Sequence, residues 1–309
     1  MSQDNTLRSR LMNVHTYAVT PFQDQDVLRV DCDRLALNLE FLIQRGMQVI
    51  AVGGGTGEIE ALSCDELELL AKTALEVVAD RALVIACLPG NLSDSVGLIQ
   101  RYERLGVPVV LGMPPLVRAQ VPGDLRGVWD YYQRLSQSAA VPLMPYNTQG
   151  WPAEFLVELA DIDAIIGVKD PCHVPHEFFS AIQKLGDRFV WVGNKRHDPG
   201  VAQLRYQMGM QGFTSGQSNF WPEPELEIHN AALQEDWERI IAIQKQVAPL
   251  ERLRMAHDDA AMVKAAMDLV GLRGGRVRPP RRDLTADARA LLESQLAEMG
   301  VPNQGSADR

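Results

Sequence analysis

Short apolar runs alternate with amphipathic segments from residue 14 to residue 222. The runs fall at 14–19, 48–53, 82–87, 108–113, 142–146, 164–169, 188–193 and 211–215. They are continuous and rich in β-branched residues, as in parallel strands covered by helices on both faces. Between them, apolar positions recur at helical spacing near 31–45, 65–79, 92–105, 123–139, 152–160, 175–185 and 199–208. Two helix starts carry local signals. Ser63 with Glu66 has capping-box spacing, and Asp198-Pro199 sets a Pro at a first helical position. Eight strand–helix units fit a closed (β/α)₈ barrel or an open doubly wound sheet. The loop after the second strand, GGGTGE at 53–58, lacks the GxGxxG order of a dinucleotide site, so the barrel is expected.

From Glu223 the alternation stops and only helical patterns remain, near 223–235, 236–248, 254–271 and 285–299. The expected division is a barrel over 1–222 carrying the active site and a C-terminal helical domain over 223–309. A Gly/Pro/Arg connector lies at 272–283, and the polar end, 303–309, is expected to fray.

Composition narrows the partners. A net charge of −10 with both signs scattered, and no basic block, argues against nucleic acid or an anionic membrane. The four cysteines, Cys32, Cys64, Cys87 and Cys172, form no CxxC pair and read as reduced thiols of a cytoplasmic protein. The opening MSQDNTLRSRLMNV lacks the apolar run of a signal peptide, and no stretch approaches the roughly 20 apolar residues that span a bilayer. His173, His176 and His197 are not spaced with carboxylates as metal ligands and read as loop residues, so no metal is expected.

Candidate chemistry gathers at strand ends, where active sites of barrels lie. Lys169 closes the sixth strand on the same face as Ile165 and Gly167. Gly167 would leave room for a ligand or for the Lys stem, and burial would lower the amine's pKa toward the neutral form that attacks a ketone. Tyr146 ends the neighbouring fifth strand and could shuttle a proton during imine formation. In the Gly53–Glu58 run, backbone N–H groups could form a nest for a substrate carboxylate, and the Thr56 hydroxyl could bond both that anion and Tyr146. Ser215 and Gly216 end the eighth strand and could line the site. A surface Lys paired with Asp170, a packed Tyr and a flexible loop are the plainer readings of the same residues.

These residues also match a family. The chain resembles the dihydrodipicolinate synthase / N-acetylneuraminate lyase superfamily through TYAVTPF at 16–22, GGTGE at 54–58, Tyr146-Asn147, GVKD at 167–170, GMQGFTSGQSN at 209–219 and VRPP at 277–280. The resemblance implies a (β/α)₈ barrel with C-terminal helices, a homotetramer or a dimer that is half of one, and no cofactor. It implies Lys169 as the Schiff-base lysine, Tyr146 as proton shuttle and Thr56 in the relay. Gly55, Thr56 and Gly57 with Asn147, Ser215 and Gly216 would bind a 2-keto acid. Two departures bear on the substrate. Leu116 stands at or beside the place of a relay Tyr that a neighbouring subunit receives, and Trp151 stands about where an Arg would bind a second carboxylate. GGTGE and NFWPE at 219–223 look more like 5-dehydro-4-deoxyglucarate dehydratases. The expected activity is therefore a Schiff-base lyase on a 2-keto-3-deoxy sugar acid, by dehydration or retro-aldol cleavage. Arg118, Lys195 and Arg196 are candidates for its far carboxylate. The alternatives are a synthase condensing pyruvate with an aldehyde and a non-catalytic keto-acid binding protein.

Overall fold

The computed structural model describes residues 3–117, 123–195 and 197–304. Its core is an eight-stranded parallel sheet of β1 (Val14–Tyr17), β4 (Val49–Val52), β5 (Leu83–Leu88), β6 (Val109–Gly112), β7 (Leu143–Pro145), β8 (Gly167–Lys169), β9 (Val190–Asn194) and β10 (Gly212–Ser215). Neighbours in sequence are neighbours in space, and β1 pairs β10. The seam between β7 and β8 is closed by parallel bridges Leu143↔Ile165 and Tyr146↔Lys169, with Asn147 N donating to Lys169 O at 2.8 Å. The sheet is therefore a barrel, and Lys169 and Tyr146 sit directly opposite each other on its closing strands. Every residue of β4, β5 and β6 is buried, which explains their unbroken apolar character.

The helices between the strands follow the amphipathic segments. They are α2 (Cys32–Gln44), α3 (Cys64–Val78), α4 (Leu92–Leu105), α5 (Leu125–Ser136), α6 (Ala153–Leu159), α7 (Pro175–Leu185) and α8 (Val201–Gln207). The capping box forms as expected: Glu66 N donates to Ser63 Oγ at 3.2 Å and Ser63 N to Glu66 Oε2 at 2.9 Å. The start of α8 differs. Gly200, at φ +92°, is its N-cap, so Pro199 precedes the helix instead of opening it. α9 (Glu223–Leu233) packs against the end of α2 and against α8. Arg45 pairs with Glu223 at 2.9 Å, and His229 meets the Tyr206 hydroxyl at 2.7 Å.

Three features depart from the periodic reading. A helix α1 (Gln3–Leu11) lies below the barrel, where the Arg8 guanidinium donates to the carbonyls of Ile166 and Arg188. Its polar sequence hides it, because its order comes from those tertiary bonds. A hairpin of β2 (Phe22–Gln23) and β3 (Asp26–Val30) follows β1, too short to show a period. The third is α10 (Trp237–Ala256), which runs through Pro249 instead of ending near 248. Burial of Ile240, Ile243, Val247 and Leu250 outweighs the one backbone bond that Pro removes. α11 (Asp259–Leu269) and α12 (Ala286–Glu298) complete the C-terminal part. The expected fraying at 303–309 does not reach Gln304, which is buried, donates from its N to Val270 O at 2.6 Å and accepts from Arg45; 305–309 lie outside the described residues.

Candidate active site

Lys169 points into the mouth of the barrel and is 7% exposed. Its Nζ lies 3.6 Å from the centre of the Tyr17 ring and 3.9 Å from that of Tyr146. Burial lowers its pKa to about 7, against the upward pull of the Cys87 thiol and Asp259. An amine in this state is about half neutral near pH 7, and so nucleophilic, while two aromatic faces favour any positive charge that develops on it. Asp170 is not its counter-ion. The Asp170 carboxylate accepts from Asn147 Nδ2 and from Cys172 N, both at 2.6 Å, and burial raises its pKa to about 6.

Tyr146 is half-buried. Burial, then Asp259 and Asp170, push its phenol up to about 12, so it stays protonated at neutral pH. Thr56 lies in the loop after β4, with its hydroxyl donating to Asp259 Oδ2 at 3.3 Å. Asp259 opens α11, and Arg254 of α10 holds it at 2.5 Å. Arg254 also pairs with Glu251 at 3.0 Å, Glu251 with Lys195 at 2.8 Å, and Lys195 with Glu225 at 2.7 Å. A chain of alternating charge thus runs from the site into the C-terminal helices. Burial acts against the charge on Lys195, but Glu225 and Glu251 outweigh it and hold its pKa raised.

The remaining candidates divide. A Cβ at Gly55 would meet nothing within 4 Å, so open space lies before it. A Cβ at Gly57 would come to 3.0 Å from Ala18 O. Gly216 lies against the Arg254–Asp259 pair, 3.6 and 3.8 Å from where its Cβ would be. Ser215 Oγ accepts from Ser218 N at 3.1 Å. Asn147 is 2% exposed, with its Nδ2 on Asp170 and its Oδ1 accepting from Trp151 N at 2.9 Å. Two expectations are corrected. Lys195, assigned to a substrate's far carboxylate, is 3% exposed and committed to two glutamates. The space in front of Gly167 is taken by the neighbouring strand, since a Cβ there would stand 2.9 Å from Val190 O. Trp151 faces the core, stacked edge-on with Tyr132 and Phe155. Arg118 and Arg196 lie outside the described residues. Leu116, 54% exposed, lines a largely apolar cavity of about 370 Å³ at the rim with Ile59, Pro89, Met113 and Pro114.

Sequence reasoning missed Tyr17, Cys87 and Asp259. Tyr17 ends β1 but falls inside the longer apolar run at 14–19, and Cys87 sits inside β5, so only barrel closure turns them toward Lys169. Asp259 comes from a helix 90 residues beyond it, the difference between positions 259 and 169, with no motif to flag it. Because Asp259 raises the Lys169 pKa, Asp259→Asn is expected to move the midpoint of Lys169 titration to lower pH, read from the pH dependence of its reaction with a ketone.

A parallel barrel with a buried, near-neutral amine and a phenol at its mouth defines a class of carbonyl-handling lyases. The model of the dihydrodipicolinate synthetase family matches residues 10–299, and the chain belongs to that family. It is a Schiff-base lyase of the class I aldolase type. Among its relatives, a 4-hydroxy-tetrahydrodipicolinate synthase of Methanosarcina mazei is 27% identical over 92% of this chain and 96% of its own. A protein named probable 5-dehydro-4-deoxyglucarate dehydratase, of Oceanobacillus iheyensis, is 27% identical over 85% of this chain and 86% of its own. The crystal structure of a dihydrodipicolinate synthase from Bacillus clausii superposes with a TM-score of 0.88, at 23% identity over 95% of this chain and 99% of that one, which establishes the fold. No helix among the described residues is long and apolar enough to cross a membrane.

Proposed function

We propose that the reaction begins with attack of the neutral Lys169 amine on C2 of a 2-keto acid, and that the substrate is a 2-keto-3-deoxy sugar acid. The observation that carries this reading is the burial of the Lys169 amine between two aromatic rings at the barrel mouth, with a pKa near 7. Attack gives a carbinolamine, Tyr146 supplies the proton with which its hydroxyl leaves as water, and a protonated imine remains. That imine draws electrons from the adjacent C2–C3 region. It either acidifies C3, so that the C4 hydroxyl departs, or accepts the pair from a breaking C3–C4 bond. The Gly55–Gly57 backbone receives the C1 carboxylate. The sugar acid is favoured by the GGTGE and NFWPE motifs at 54–58 and 219–223, which resemble those of 5-dehydro-4-deoxyglucarate dehydratases.

A second reading is condensation of pyruvate with an aldehyde, favoured by the Methanosarcina mazei relative. Both share the imine, and adding aldehyde or sugar acid to it separates them. Homo-oligomerisation, a cytoplasmic location and a division of the chain after residue 222 belong to the same proposal.

The test is incubation with pyruvate or a longer 2-keto acid, reduction with cyanoborohydride, and mapping of the adduct by mass spectrometry. The predicted label is on Lys169. Labelling at low keto acid is expected to rise about tenfold per pH unit below 7 and to level off above pH 8, because the neutral amine reacts and its fraction saturates above its pKa. A rate still climbing at pH 9.5 would mean an ordinary lysine and would sink the assignment.

A further inference from the structure

We propose that Tyr17 contacts substrate, its hydroxyl donating a hydrogen bond to the carboxylate of the keto acid held at Lys169; this rests on the Lys169 reading above. Tyr17 ends β1, is 3% exposed, and lays its ring 3.6 Å from Lys169 Nζ. The hydroxyl is buried and has no hydrogen-bond partner among the described residues. The other deeply buried phenols all have one. Tyr102 donates to Cys87 O at 3.0 Å, Tyr131 to Pro89 O at 2.8 Å and Tyr132 to Gly112 O at 3.1 Å, while Tyr206 meets His229 at 2.7 Å. A buried hydroxyl without a partner costs the desolvation of an unmade bond. If Tyr17 only filled the barrel, Phe would fill it equally well without that cost.

The direction of the ring says what the hydroxyl would meet. One ring edge lies against Gly54, where a Cβ would come to 2.5 Å of Cδ1, so the ring occupies room that only Gly leaves. The same Gly-rich loop continues into Gly55 and Thr56, the proposed carboxylate nest. The ring thus lies between the Lys169 amine and the start of this loop, with Cys87 Sγ against the same Gly54 position. Burial keeps the phenol protonated, with its pKa well above 10. A neutral donor aimed at an anion in such surroundings makes a charge-assisted bond. Lys169 would hold C2 of the keto acid covalently while Tyr17 and the nest share its carboxylate.

Tyr17→Phe removes the oxygen and keeps the ring. In cyanoborohydride trapping, the pyruvate concentration for half-maximal labelling of Lys169 is expected to rise about tenfold or more, equivalent to about 1.4 kcal/mol. Labelling at saturation should be retained, and the melting temperature should equal or exceed that of the wild type. Propanal has a carbonyl and no carboxylate, and should label both proteins alike. An unchanged half-saturation with pyruvate would overturn the proposal. So would an equal loss with propanal, because the hydroxyl would then act on the amine. If the wild type took no label from any keto acid, the Lys169 reading would fail and Tyr17's role with it, whereas labelled wild type with an unaltered variant removes Tyr17 alone.

Discussion

Lys169→Ala is expected to lose the trapped adduct completely and to lower turnover by roughly 10⁴-fold or more, the scale on which removal of a covalent nucleophile acts. The reason is specific to this barrel. No second primary amine is free at the mouth among the described residues: Lys195 is enclosed by Glu225 and Glu251, and Lys264 is paired with Glu58 at 2.6 Å. No neighbouring lysine can therefore take over the imine. Lys169→Arg should be equally inactive, since a guanidinium stays charged at any pH a protein tolerates. Circular dichroism and a urea titration establish whether the variants remain folded. Substantial turnover of a keto-deoxy sugar acid by a folded Lys169→Ala protein would end the imine mechanism.

The second large effect is on stability. Lys195→Met is expected to cost about 3–5 kcal/mol, the usual result of removing one member of a buried ionic cluster. Lys195 follows β9 and lies between Glu225 of α9 and Glu251 of α10. Without the ammonium, two carboxylates remain in a region with almost no access to water. Glu225 already has a raised pKa from burial, and Glu251 is held down to about 2, against burial, by Lys195 and Arg254. Glu225→Leu added to Lys195→Met should recover part of the loss, because the orphaned charge goes with it. Urea denaturation of the two variants and the double variant measures this directly. A loss below about 1 kcal/mol, typical of an exposed pair, would mean that water reaches the cluster. Through Glu251, Arg254 and Asp259 the same chain ends on Thr56, so Lys195→Met should also weaken keto-acid binding.

How much of this was legible in the sequence can be judged residue by residue. The barrel followed from eight apolar runs spaced by helical periods, because strand burial and helix amphipathicity are local patterns. Lys169 and Tyr146 were legible too, since each ends a strand and strand ends converge at one face of a barrel. Their bridge across the closing seam adds the contact itself. Lys195 was misread because its position beside a strand end resembles that of Lys169. Only its two partners, 30 and 56 residues away, reveal a buried brace. Asp259 and Arg254 carry no motif, and they approach the site only because α10 and α11 fold back over it.

The sequence alone determined the fold class and the strand order and marked Lys169 as the candidate amine, since each depends on periodicity or on position within one element. The tertiary structure decided the environment of that amine. Its depressed pKa arises from burial among chain segments remote from one another, its ring contact with Tyr17 joins β1 to β8, and the ionic chain behind Thr56 joins the barrel to the C-terminal helices. Desolvation and Coulomb interaction depend on distance in space, and a linear sequence records that distance only after the barrel has closed.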